Sequence, residues 1–148
     1  MFILLVDNNR FFVSVLKQML LKAGFSVIGD AENGTECVLQ INRSESPDVL
    51  IIDESQCYID GVDIIKHVRR SRPKIRIIVL TDGESQLNFN LNHEKESILY
   101  IAKESITSEN LPQVLYNIFT ENLTSIVKPS VKNAFSSFRK SLSTSLNF

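Results

Sequence analysis

The run VLIID, residues 49–53, constrains the fold more than any other stretch. It is apolar throughout, rich in β-branched side chains, and ends in a single carboxylate. No face of such a segment suits water, so it reads as a strand covered on both sides. Pro47 lies before it, and a polar loop ending in Gly61 follows it. Three other apolar runs also end on polar groups. Residues 2–7 end in Asp7 with Asn8 next, residues 75–81 end in Thr81, and residues 98–103 end in Lys103. Open parallel α/β sheets bind ligands at the carboxyl ends of their strands. Four strand ends carrying Asp7, Asp53, Thr81 and Lys103 could therefore converge on one rim.

Between these runs the apolar period lengthens to that of a helix. Residues 9–22 place Phe12, Val15, Leu16, Met19 and Leu20 on one face, with Phe11 and Val13 off it, and Gly24 suits the stop. Residues 25–29 form a short second strand. The Asn33–Gly34 pair marks a turn, and a helix then runs to about Arg43, burying Cys37, Val38 and Ile41. A third helix starts at Gly61, with Ile64, Ile65 and Val68 inward, and ends before Pro73. Residues 84–96 are rich in Asn and Glu and carry the weakest helical pattern. Thr107 or Ser108 caps a last helix whose core face is Leu111, Leu115 and Ile118. Five strand-helix repeats predict a doubly wound, five-stranded parallel sheet of flavodoxin-like type, with a C-terminal tail.

Charge separates that tail from the rest. Residues 124–148 carry Lys128, Lys132, Arg139 and Lys140 and no acid. The whole chain has a net charge of −1, which gives no bias toward polyanions and no sign of direct nucleic-acid contact. We expect a domain over residues 1–123 and a basic, Ser-rich tail over 124–148. In the tail, Val131, Phe135, Phe138 and Leu142 recur at helical spacing after Pro129 and Ser130. An amphipathic helix there is expected to dock on its own domain or on a second copy, giving a homodimer. Cys37 and Cys57 show no metal-ligand pairing. No signal-like or long apolar span is evident, so a reduced cytoplasmic setting is expected, without membrane association. The segment after the first strand, Asp-Asn-Asn-Arg, has no glycine to cradle a nucleotide phosphate chain.

Asp7–Asn8, Asp53, Asp60–Gly61, Thr81, Tyr100 and Lys103 occur in one order at suitable spacing. On these positions residues 1–122 resemble the receiver domain of two-component response regulators. The resemblance implies that Asp53 is the phosphoacceptor and that Mg²⁺ is held by Asp7, Asn8, Asp53 and the backbone carbonyl of Ser55. It makes Lys103 and Thr81 the partners of the phosphoryl oxygens, and Thr81 and Tyr100 the switch residues. Partners would be a histidine kinase or a histidine phosphotransfer protein, with Phe11 as a contact. Such a domain is a signalling phosphoacceptor that assists its own phosphorylation and dephosphorylation, not an enzyme on an external substrate.

Four positions depart from the family pattern. Asn8 replaces the second acid and removes a negative charge from the metal site. Cys57 replaces a loop proline. Asp82 follows Thr81 where a small residue is usual. Glu104 replaces the proline after Lys103, and a non-proline bond there is expected to be trans, since cis costs about 2.5–4 kcal/mol. These departures motivate an alternative: a degenerate receiver that serves as a phosphorylation-independent docking or dimerisation module.

Overall fold

The computed structural model describes residues 1–43, 45–82 and 98–120. The expected helix at 84–96 and the tail at 124–148, with Val131, Phe135, Phe138 and Leu142, lie outside the described residues. In chain order the elements are β1 (Phe2–Val6), α1 (Arg10–Lys22), β2 (Ser26–Ala31), α2 (Gly34–Ile41), β3 (Val49–Asp53), β4 (Tyr58–Ile59), β5 (Val62–Asp63), α3 (Ile64–Ser71), β6 (Arg76–Thr81), β7 (Ile98–Ala102) and α4 (Asn110–Thr120). Among them, no helix is long and apolar enough to cross a membrane.

Five strands form one parallel sheet in the order β2-β1-β3-β6-β7. All five residues of β3 are buried, as its unbroken apolar run requires. Strand alternation then sorts the apolar side chains into two layers. Leu4, Val6, Leu50, Ile52, Ile77 and Val79 face α2 and α3, together with Cys37, Ile41, Ile65 and Val68. Ile3, Leu5, Val49, Ile51, Ile78 and Leu80 face α1 and α4, together with Leu16, Leu20, Leu111 and Leu115. Burying one such side chain contributes about 1.5–3 kcal/mol, so the two layers together dominate the stability of the sheet.

Local signals explain where the helices sit, and they move some expected boundaries. The buried stripe of α1 is Val13, Leu16 and Leu20. Val13 therefore belongs to the core face, while Phe12 and Met19 flank it half-buried. β2 runs two residues beyond residue 29 because its register against β1 continues to the Val6–Ala31 pair. α2 ends at Ile41, short of Arg43, with Asn42 as its C-cap.

The helix expected from Gly61 starts instead at Ile64, where the Asp63 carboxylate accepts the Lys66 N–H at 2.9 Å. Asp60 and Gly61 form the two-residue turn of a β4–β5 hairpin. Both have positive φ, 51° and 77°, which is what a type I′ turn demands. A different constraint holds Gly34. A Cβ there would lie 2.8 Å from the Gln56 carbonyl oxygen and 2.6 Å from Ile64, so only glycine lets α2 approach the loop after β3.

Candidate functional site

Asp53 ends β3, Thr81 ends β6, Asp7 follows β1, and Lys103 follows β7. Because these strands are parallel neighbours, all four residues reach the same edge of the sheet. Three of them are buried: Asp7 is 4% exposed, Asp53 3% and Thr81 1%. Two buried carboxylates side by side repel each other unless a cation lies between them. Lys103 supplies it. Its Nζ is 2.7 Å from Asp7 Oδ2 and 2.7 Å from Asp53 Oδ1, and 3.8 Å from the exposed Asp82 carboxylate.

Short loops hold the other two carboxylate oxygens. Asp7 Oδ1 accepts the backbone N–H of Asn9 at 2.8 Å. Asp53 Oδ2 accepts the backbone N–H of Ser55 at 3.1 Å and also the Ser55 hydroxyl. Gln56, itself buried, donates its side-chain amide to Ser55 Oγ at 3.2 Å. The Cys57 thiol lies 3.5 Å from the Asp53 carbonyl oxygen and donates to it. Residues Glu54–Gln56 thus form a 3₁₀ turn capped by the Asp53 side chain.

Lys103 opens a second 3₁₀ turn, Lys103–Ser105. No peptide bond among the described residues is cis, so Glu104 follows Lys103 in the trans form. The ammonium still reaches both carboxylates. Burial alone draws its pKa down and is the largest single influence. The bonds and charges of Asp53 and Asp7 together outweigh it, so the net direction is upward and Lys103 is charged at neutral pH. The Lys103 Nζ also lies 4.9 Å from the centre of the Phe12 ring.

Thr81 Oγ1 is buried and has no hydrogen-bond partner among the described residues. A buried hydroxyl left in this way costs free energy unless a ligand completes it. The pocket therefore offers one ammonium, one open hydroxyl and two converging carboxylates, a set matched to an oxyanion together with a cation. Among the described residues no group of three or more His, Cys, Asp or Glu side chains converges as a metal cage. Asp7 and Asp53 nevertheless bring two carboxylates to one sheet edge, with Asn8 next in sequence, a donor set of the kind Mg²⁺ takes. That ion prefers one or two carboxylates and keeps several waters.

The structure brings Asp7, Asp53, Lys103 and Ser55 into direct contact and places Thr81 at the same sheet edge. Asn8 is exposed at the start of the β1–α1 loop. Tyr100 stands apart, half-buried against the apolar layer of α2 and α3, where burial pushes its hydroxyl up to about 12. Phe11 lies in the first turn of α1 and is 80% exposed. Asp7 does not cap α1; Asn9 does, through Oδ1 on the Phe12 N–H at 3.1 Å. An Asn just before an apolar helical run is a legible cap signal. The Phe12 ring and the Gln56 amide had no comparable signal, since one read as core and the other as loop.

Comparison with known proteins gives the family and the fold. The family description "Response regulator receiver domain" matches residues 3–115. The chemotaxis protein CheY of Thermotoga maritima is 35% identical over 77 residues, which cover 52% of this chain and 63% of that protein. CheY of Bacillus subtilis is 34% identical over the same share of each chain. These matches span less than two thirds of either relative. A crystal structure of a response regulator receiver domain protein from Clostridium thermocellum superposes with a TM-score of 0.67 at 25% identity, covering 78% of this chain and 91% of that one.

Proposed function

The chain belongs to the response regulator receiver domain family, and from that premise we propose that it is a signalling switch that takes a phosphoryl group on Asp53. The observation that carries this reading is the buried Asp53 carboxylate with the Lys103 ammonium 2.7 Å away and the unpartnered Thr81 hydroxyl at the same edge. In the transfer, an Asp53 oxygen attacks phosphorus and the bond from phosphorus to the donor breaks. With a phosphohistidine donor the leaving imidazole nitrogen takes up a proton. Charge spreads over the equatorial phosphoryl oxygens, so positioning and electrostatics supply most of the rate. Lys103 neutralises one oxygen, and the Thr81 hydroxyl donates to another.

Asp7, Asn8, Asp53 and the Ser55 carbonyl would hold Mg²⁺, which when bound supplies divalent charge against the phosphoryl oxygens. The donor would be a histidine kinase or histidine phosphotransfer protein in the cytoplasm, with Phe11 in the contact. The added charge, roughly −1.5 to −2 at pH 7, would draw Thr81 toward it and let Tyr100 turn inward. Residues 1–123 would form the signalling unit and 124–148 a separate tail that docks or dimerises.

The departures that motivate a docking-only module leave the cluster intact: Lys103 reaches Asp53 with Glu104 in place of proline. The test is acetyl phosphate with Mg²⁺, followed by intact mass. We expect one phosphoryl adduct, absent in Asp53→Asn. An unmodified wild-type chain at millimolar Mg²⁺ would overturn the switch and favour the docking module.

A further inference from the structure

We propose that Phe12 is a positioning residue for Lys103, its ring acting as the platform that keeps the ammonium between the two carboxylates. The proposal rests on the phosphoacceptor reading for its effect on rate, but its structural content stands apart from it.

Asp7, Asn9, Phe12 and Lys103 form a closed circuit of contacts. Asp7 Oδ2 meets Lys103 Nζ at 2.7 Å, and Asp7 Oδ1 meets the Asn9 N–H at 2.8 Å. Asn9 Oδ1 meets the Phe12 N–H at 3.1 Å. The Phe12 ring closes the circuit, 4.9 Å from Lys103 Nζ. The carboxylate that binds the ammonium thus also fixes, through the helix cap, the residue whose ring faces that ammonium. Phe12 is only half-buried, flanking the Leu16–Leu20 stripe rather than lying inside it. Phe12 packs against that layer and its ring also meets the ammonium.

A cation within about 6 Å of a ring centre is attracted by the ring's quadrupole, and more strongly when the site is shielded from water. The Lys103 side chain is 19% exposed, so the shielding is substantial. The backbone of Lys103 gives its long side chain little direction. Its turn has no side-chain cap, and Ser105 Oγ bonds the Ala102 carbonyl one residue earlier. Four flexible methylenes would otherwise let the ammonium follow Asp82 outward. The ring and Asp7 hold it inward, on Asp53.

Two variants test this. Phe12→Leu removes the ring. Site-specific trifluorophenylalanine at position 12 keeps the shape and weakens the face potential. In the unphosphorylated protein, Phe12→Leu should abolish a ring-current shift at the Lys103 methylenes. Both variants should loosen the Lys103 side chain, read as faster methylene motion in NMR relaxation of the labelled lysine. With acetyl phosphate, both should slow adduct formation about two- to fivefold, and Phe12→Tyr should restore it. If the fluorinated chain matches wild type in Lys103 side-chain order and in rate, the ring is packing only and the proposal fails. If wild type forms no adduct yet the Lys103 side chain loosens with fluorination, the phosphoacceptor reading fails and the positioning role stands.

Discussion

The ends of β3 and β7 carry the two charges that define the site, and they hold them by different means. Each strand runs directly into a 3₁₀ turn. After β3 the functional residue caps its own turn: the Asp53 carboxylate takes the Ser55 N–H and hydroxyl, and Cys57 closes onto the Asp53 carbonyl. After β7 the functional residue lies inside the turn, and that turn has no side-chain cap. Lys103 is placed by Asp7, Asp53 and Phe12, all distant in sequence. Local geometry places the acceptor, and tertiary contact places the ammonium. A change near Asp53 should therefore be absorbed by redundant bonds, whereas a change at Lys103 should propagate to both carboxylates.

The sharpest way to break this contrast is Lys103→Met. It strips the counter-charge from two buried carboxylates and is expected to lower stability by about 3–5 kcal/mol at pH 7. Urea denaturation at pH 7 checks it.

Alkaline titration separates the two ends by window. Burial pushes Cys57, beside Asp53, up to about 12 from its ordinary 9.0, with Asp53 and nearby acids adding to the rise. Cys37 is pushed up to about 12 by burial alone. Both thiols bind their protons more tightly in the folded state. The stability they contribute is complete below pH 9.0 and is lost as pH climbs toward 12, at up to about 1.4 kcal/mol per pH unit for each thiol. Lys103, raised from 10.5, adds its own loss only above that value. Cys57→Ala should about halve the slope just above pH 9.0, leaving the Cys37 share and the Lys103 loss, as followed by denaturation at stepped pH.

The smallest expected effects come from the serines. Ser55→Ala removes one of the bonds on Asp53 Oδ2 and leaves the backbone N–H, so about 1 kcal/mol or less should be lost, with Asp53 kept in place. Ser105→Ala removes the 2.7 Å bond to the Ala102 carbonyl. It should cost about the same stability and leave the Lys103 side-chain resonances in place, because tertiary contacts position the ammonium. A Lys103 shift in Ser105→Ala would erase the contrast.

The same contrast explains what could be read from the chain beforehand. Strands announce themselves through unbroken apolar runs, so β1, β3, β6 and β7 were legible, and with them the polar residues at their ends. The β4–β5 hairpin was not. Two-residue strands carry no period, and its Asp60–Gly61 turn looks like a helix start. Val13 was misplaced because α1 turns its stripe by one position against the sheet. At the site, Asp53 was legible from its own neighbours. The Phe12 contact and the double engagement of Lys103 depend on residues meeting across the sheet, which no local pattern encodes.

The sheet order carries one more consequence, for breathing motions. Asp7 and Asp53 follow neighbouring inner strands, while Lys103 follows β7, which ends the described sheet and pairs only with β6. Outer strands open at lower free energy than inner ones. The ammonium therefore works as a clasp, tying a rim strand to the two strands at the centre. Amide exchange along β7 becomes a gauge of charge at the pocket, quickening whenever the clasp is released, while β1 and β3 keep their protection.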